Sequence, residues 1–559
     1  MGCVAWTPET WNFLKLTCGI WVAMCIGVSF TFGIFTNRMK SQFNLTQPDL
    51  TTISTIGYVF GMFNFPAGVV WDRFGPRAVL LCAWLMILLG LGGFALTFSG
   101  HIPGSVPSFS FYTVMIAWSS GWMDTGSLMT NMFNFPHNNG DVVVLQKTFM
   151  GLGGTMFASF YAGWFKEQIT EFSLFVAGYV CVLVGIGAYV VTLPDYLIKR
   201  RAKKKEDIPP VLKSDDTEMR GEQTAQRLQQ EEATGDPEDQ VIDTILLYPA
   251  NRQRMNTGLA LLGVMLVYLT TISCLLAFVE LSASVRAGLA AVTLLLALSF
   301  VSLPLRRVRA EHGGESSGLS DIEADPTPTG LAEVQYFTKF TESLKKLDIW
   351  LLWWCSFCLL GSGVTVIVNA AQIYRSINGN EFNTDTNSLN VAFIGLGSAG
   401  GRIAVGLLEQ KVLKKRHLPI TMVFPISHVF AALGLLLMLP LPATALFVPF
   451  FLFNWGLGWG WATTVLAVRR MWRYDVAKHY GFTFTAGMLA VVVLNRFTFG
   501  QLFGMEAEAQ HLSPHCSGVV CVRTALLIMT GLNVSAIGAA LLLHLRWRRY
   551  LQQSVHCVE

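Results

Sequence analysis

Apolar runs long enough to cross a bilayer follow one another along the whole chain, and no other feature constrains the fold as tightly. About 20 residues at a 1.5 Å rise cross a ~30 Å hydrocarbon core. In lipid the backbone must satisfy its own polar groups, so runs of this length span as helices. They lie at 12–36, 50–71, 78–98, 110–134, 142–165 and 171–194, then 257–279 and 286–304. Six more follow at 349–371, 387–408, 418–440, 443–467, 480–504 and 519–545. Only 14% of residues are charged, against roughly a quarter in a soluble chain. The expectation is an all-α polytopic membrane protein of about 14 transmembrane helices, grouped six, two and six.

An even number of spans places both termini on one side, and Lys and Arg choose that side. Arg73 and Arg77 follow the second span, Lys199 to Lys205 the sixth, and Arg306, Arg307 and Arg309 the eighth. Lys411, Lys414, Lys415 and Arg416, then Arg469, Arg470 and Arg473, then Arg546, Arg548 and Arg549 fall on the same face. The opposite loops hold little more than Arg38, Lys40, Lys166, Arg286 and Arg375. This predicts cytoplasmic termini at 1–11 and 546–559, an N-terminal bundle at 12–194, two added helices at 257–304 and a C-terminal bundle at 349–545. Residues 195–256 and 305–348 are polar, charged linkers without the apolar content to bury a core. The sequon Asn44-Leu45-Thr46 lands in the first outer loop, where a glycan can be attached. Cys516 and Cys521 fall at the last outer loop and read as a disulfide, in preference to a zinc site shared with His511 and His515.

The second span ends on Gly68-x3-Asp72-Arg73-x-Gly75-x-Arg77, and its counterpart in the last six spans reads Gly401-Arg402-x3-Gly406-x2-Glu409. Small residues let helices approach closely, while an acid and bases on a tight turn can pair and cap neighbouring helix ends. Repeated six-helix halves are a transporter pattern.

The stretch "GxxxDRxGxR" between the second and third spans resembles the signature of the major facilitator superfamily, with "GRIAVGLLE" as its second-half echo. The resemblance implies two six-helix bundles about a pseudo-two-fold axis, latched in one state of the cycle by Asp72, Arg73 and Arg77. "NMFNFPHNNGDVVVLQKTFMGLGGTMFASFY", "FCLLGSGVTVIVNAAQIYRSI" and "CSGVVC" are similar to the nodulin-like branch, whose members also carry two extra spans between the halves. Asn139 stands where that branch tends to have Arg, and Asn369 where it tends to have Asp. Both departures remove a charge.

Within the membrane, charges are costly and mark function by default. Asp124, near the middle of the fourth span, reads as a proton-carrying carboxylate or as the structural partner of a base. Arg496, in the thirteenth, offers a fork that fits a carboxylate, or else a helix–helix ion pair or a side chain snorkelling to the outer leaflet. Lys147, near one end of the fifth, reads as an interfacial anchor. Asn64, Asn369, Gln372, Asn454 and Asn495, with Tyr58 and Trp455, could complete a central pocket or serve as interhelical glue. "GLGG" at 151–154 lies in an apolar helix without the Lys-Ser/Thr of a phosphate loop.

No catalytic constellation, cofactor motif, resident metal site or nucleic-acid patch emerges, so an enzyme is not expected. The expected activity is alternating-access transport of a small solute, by default as a monomer in the plasma membrane. Embedded Asp and Arg point to a small organic anion carried with protons. The resemblance to monocarboxylate carriers in the second half leans toward pyruvate or lactate. Iron or another metal complex, an amino acid, and a non-transporting nutrient receptor stay open as alternatives.

Overall fold

The computed structural model describes residues 7–166, 168–194, 250–306, 335–413, 416, 418–512 and 515–556. Lys199 to Lys205, Arg307, Arg309, Lys414, Lys415 and nearly all of both linkers lie outside the described residues.

Among the described residues the chain forms fourteen helical rods. We label them α1 (8–43), α2 (47–74), α3 (76–98), α4 (106–134), α5 (139–164), α6 (169–190), α7 (252–278), α8 (283–305), α9 (347–377), α10 (384–413), α11 (420–437), α12 (443–471), α13 (476–509) and α14 (520–556). The six-two-six grouping holds. Among the described residues, eleven helices are long and apolar enough to cross a membrane. The rods short of that mark, α4, α5 and α12, carry Asp124, Lys147 and Asn454, so the polar groups that lower their hydropathy lie inside the molecule.

The rods alternate in direction, so the turns after α2, α4, α10 and α12 share one face with both ends of the described chain. That face bears Arg73, Arg77, Arg469, Arg470, Arg473 and Arg546, and is called the basic face below. Asn44 lies exposed at the other end, in the left-handed conformation (φ 53°) that closes α1, a conformation Asn tolerates better than most residues. The structure joins Cys516 to Cys521 on the same opposite face.

Several rods are interrupted, and polar side chains sit at the interruptions. α2 breaks at 62–64, where the Asn64 amide donates to Gly61 O at 3.3 Å. α9 breaks at Asn369, whose amide donates to Thr365 O at 2.7 Å. Asn side chains compete with the helical ladder for backbone groups in this way. π-helical stretches occur at Thr125–Met129, Glu409–Leu413 and Val491–Gly500. Such stretches recur at functional sites, because each π turn takes up an extra residue and re-aims the side chains around it.

The added pair α7–α8 docks on the N-terminal bundle. Trp21 Nε1 donates to Ala297 O at 2.9 Å, Trp164 Nε1 to Ala287 O at 3.2 Å, and Ser159 meets Thr293 hydroxyl to hydroxyl at 3.1 Å. Gly163 lies against Ala290 and the Arg286 carbonyl, an approach that a Cβ would block.

Candidate functional site

The turn after α2 stops because of its residues. Gly75 has φ 85° and ψ −179°, a region open essentially to Gly, and Pro76 then starts α3 at a position where a missing N–H costs nothing. The preceding turn aims Asp72 at the other bundle, where its carboxylate accepts the backbone N–H of Lys478 at 2.9 Å. That N–H belongs to the first turn of α13, whose free donors and dipole favour an anion. One turn back, a Cβ on Gly68 would overlap the Ala477 carbonyl, and one on Gly481 would meet Asn64 O at 2.7 Å. Arg73 and Arg77 do not join this seam. Arg73 lies over its neighbour Phe74, and Arg77 lies over the Tyr189 ring and donates to Tyr189 O at 3.3 Å within its own bundle. Of the three residues that the resemblance assigns to a latch, Asp72 meets the other bundle, with Gly68 beside it, while the turn at Gly75 sends both arginines outward.

The second-half motif divides in the same way. Gly401 packs inside the C-terminal bundle against the Trp455 carbonyl, and Gly406 packs across the seam on Gly140 and Val144 of α5. Glu409 is buried and pairs with Arg470 at 2.8 Å. Gln410 donates to His137 O at 3.1 Å, and Arg469 lies 4.3 Å from the Phe133 ring centroid, both contacts crossing between bundles. Together with the α2–α13 contacts, these close the basic face.

A segment ahead of α9 braces this closure from outside. Tyr336 N–H donates to Met471 O at 2.6 Å, and Arg473 N–H donates to Tyr336 O at 3.2 Å. Phe340 N–H donates to Asp475 at 3.1 Å, and its ring lies between Phe65 of α2 and His479 and Phe482 of α13. Asp475 also pairs with Lys478 at 2.6 Å. Burial pushes the Asp475 carboxyl up, but the Lys478 and Phe340 hydrogen bonds and the charges of Lys478 and His479 outweigh it. The net pKa lies below the ordinary carboxylate value.

Beyond the seal lies a buried charged cluster. Lys147 Nζ donates to Asp124 Oδ1 and Oδ2 at 2.8 and 2.7 Å and to the Tyr480 hydroxyl at 2.6 Å. The Tyr480 hydroxyl in turn donates to Asp124 Oδ2 at 2.7 Å. Lys147 is 0% exposed and faces the rings of Trp461, Tyr480 and Phe484 at 5.2, 5.3 and 5.9 Å. Lys147 is thus a buried member of the centre and not the interfacial anchor that its place near the end of the span predicts. The fifth helix begins at Asn139 rather than 142, which carries Lys147 two turns inward on the face aimed at the other bundle. Asp124 has the partner base that the sequence left unnamed, and the π-helical stretch begins at the next residue.

Arg402 belongs to the second-half motif, yet it stands in the centre, against Gly151 of α5. It is buried, and its Nε and Nη1 have no hydrogen-bond partner among the described residues. Nη1 lies 2.7 Å from where a Gly151 Cβ would be. Gly151 follows Lys147 by four residues, so the guanidinium sits about one turn, about 6 Å, along the same face of α5. The sequence signal for this is the place of Arg402 inside an apolar run, where a charge marks function by default. A small cavity lined by Ser356, Trp461, Thr464, Tyr480 and Phe484 adjoins the Lys147 cage from the C-terminal bundle.

The remaining candidates scatter. Asn369 and Asn495 meet, amide nitrogen to amide oxygen, at 2.7 Å. Asn454 is fully buried and donates to Phe450 O at 2.9 Å, its Oδ1 having no partner among the described residues. Asn64 Oδ1 is likewise unpartnered, pressed against Gly121 one turn from Asp124. Tyr58 is half-buried and Gln372 exposed. Arg496 is exposed, without a hydrogen bond or ion pair among the described residues. Its π-helical stretch turns it out of the centre, so it does not join the charged cluster.

Residues 11–209 match the sequence family described as Nodulin-like. The proton:xylose symporter XylE, solved with 6-bromo-6-deoxy-D-glucose, is 11% identical with a TM-score of 0.50, covering 95% of this chain and 94% of that one. A double-Trp variant of XylE is 13% identical with a TM-score of 0.50, over 94% and 93%. The transporter FucP, in its outward conformation, is 12% identical with a TM-score of 0.47, over 96% and 99%. No curated protein matches in a sequence comparison. The XylE likeness shows the fold.

Proposed function

We propose that this chain, Nodulin-like in its N-terminal bundle and built on the major facilitator fold, is a secondary active transporter. Its cargo on this reading is a small organic anion such as a monocarboxylate, moved with protons. The observation that carries the reading is Arg402. A buried guanidinium with unpartnered N–H groups, next to an ion pair that already neutralises Lys147, leaves the centre about one positive charge in excess. A carboxylate is the ligand that would both neutralise this charge and accept two parallel hydrogen bonds from a planar fork. Buried charge without such a partner is costly. Asp124 supplies a titratable group within the same cluster.

In this mechanism the anion enters while the basic face is closed, is held by Arg402 against the Lys147 cage, and leaves when the α2–α13 and α5–α10 seams part. The basic face is taken as cytoplasmic and the membrane as the plasma membrane, with Asn44 glycosylated outside. The test is uptake of labelled pyruvate into vesicles containing the purified chain, with and without an inward proton gradient. Amino-acid and iron substrates run in parallel. Pyruvate accumulation above equilibrium that collapses with the gradient supports the reading. Binding without flux points to a receptor, and uptake of only iron or an amino acid replaces the substrate.

A further inference from the structure

We propose that the groove between α7 and α8 at the basic face binds the headgroup and one acyl chain of an anionic phospholipid, with Arg306 on the phosphate. The proposal concerns the added helix pair alone and holds whatever solute the chain carries.

The groove has a volume of about 370 Å³. Its α7 wall is built first from Gln253, Asn256 and Thr257 and then from Ala260, Leu261 and Val264. Polar side chains thus give way to apolar ones along a single face of the helix. Gln253 and Val264 stand 11 residues apart, a rise of about 16 Å at 1.5 Å per residue. That is about the depth of hydrocarbon in one leaflet, half of ~30 Å. The apolar stretch of α7 begins at Arg252 and that of α8 ends at Leu305. The polar end of the groove therefore lies at the level of the headgroups, and the apolar end lies among the acyl chains.

Arg306 closes the polar end. It is exposed, and from the end of α8 its Nη1 donates to the Thr257 hydroxyl of α7. Arg254, buried behind it, donates through Nε to Arg306 O at 3.3 Å and through Nη1 to the Thr10 hydroxyl at 3.2 Å. These bonds fix the end of α8 against α7 and α1. Arg252 adds a second exposed base at the head of α7. The Glu9 carboxylate is spent on the α1 side, accepting the Asn251 N–H at 2.9 Å. Among the described residues, no carboxylate lines the groove. The site thus offers positive charge with amide and hydroxyl groups at one end and a bare aliphatic track at the other. A free phosphate would meet only the first half. A phosphate diester carrying an acyl chain meets both, its oxygens taking charge-assisted bonds from the guanidinium. Basic pockets between membrane helices hold anionic headgroups in this way.

The test is native mass spectrometry of the full chain, delipidated and then equilibrated in micelles holding equal amounts of phosphatidylglycerol and phosphatidylcholine. The natural sequence should retain phosphatidylglycerol in preference by about tenfold. Arg306→Gln removes the charged donor and should lower that retention about tenfold. Arg549→Gln removes the same charge from another exposed position near the end of the chain, and should leave retention within about twofold. Ala260→Trp keeps every charge but fills the apolar half of the groove. It should release the lipid about as strongly as Arg306→Gln, and it stands as the test if that variant does not fold. A natural sequence without preference for phosphatidylglycerol overturns the proposal. So does an equal loss from Arg549→Gln, which would mean diffuse attraction by the whole basic face. Displacement of the lipid by millimolar inorganic phosphate also overturns it, by giving the groove to a free anion.

Discussion

Arg402 and Lys147 are both buried bases on facing helices, but they stand in opposite electrostatic conditions. Lys147 spends its donors on Asp124 and Tyr480, whereas Arg402 keeps Nε and Nη1 unused. Losing a charge-assisted bond costs about 1.5–3 kcal/mol, so Arg402→Gln should weaken carboxylate affinity about 10- to 100-fold, read as KM or by competition binding. Arg496→Gln, altering an exposed side chain, should leave affinity within about twofold, since substitutions away from buried features are usually small. Lys147→Met leaves the Asp124 carboxylate buried without its cation. It should destabilise the chain by about 3–5 kcal/mol, measured as thermal unfolding in detergent, and Asp124→Asn in the same chain should restore much of it. Asp124, as a charge in an apolar run, is legible from sequence. That Lys147 is its partner is not, because nothing local says which face of α5 meets the other bundle.

Among the elements, α13 concentrates the gate. Gly68→Ala puts a Cβ into the Ala477 carbonyl, so it should move the closed-to-open ratio toward open by at least about tenfold, or about 1.4 kcal/mol. Spin labels at the exposed positions Phe74 and Tyr474, on either side of the seam, would report the change as a longer distance. Asp475, in the turn that starts α13, titrates below the ordinary carboxylate value. A group with a depressed folded pKa stabilises above its unfolded pKa and loses that contribution as pH falls through the folded one. Asp475→Asn should therefore lower the melting temperature at neutral pH, with the difference from the natural chain fading once the pH is below the folded pKa of Asp475. The turn chemistry of Gly75-Pro76 can be read straight from the residues. The bracing segment at 335–346 cannot, because it is polar and short, and only its contacts with Trp472, Asp475 and Phe65 give it a place.

For the whole molecule, the added pair α7–α8 should travel with the N-terminal bundle, since Trp21, Ser159 and Trp164 bond it to α1 and α5. A disulfide engineered as Ser159→Cys with Thr293→Cys should leave transport within about twofold, because bundles that rock as rigid bodies do not shear internally. A large loss would mean that the pair slides during the cycle. The long helical rods of the described residues and their alternation were determined by the sequence alone, because the bilayer fixes span length and forbids unsatisfied backbone. The motif turn was determined in the same way, by the conformational limits of Gly and Pro. Tertiary structure decided which charges share a centre. Helix rotation, shifted by the π-helical stretches and by where each helix begins, brought Lys147 and Arg402 to the seam and turned Arg496 away. Rotation is set by packing against helices hundreds of residues distant in sequence, and no local pattern encodes it.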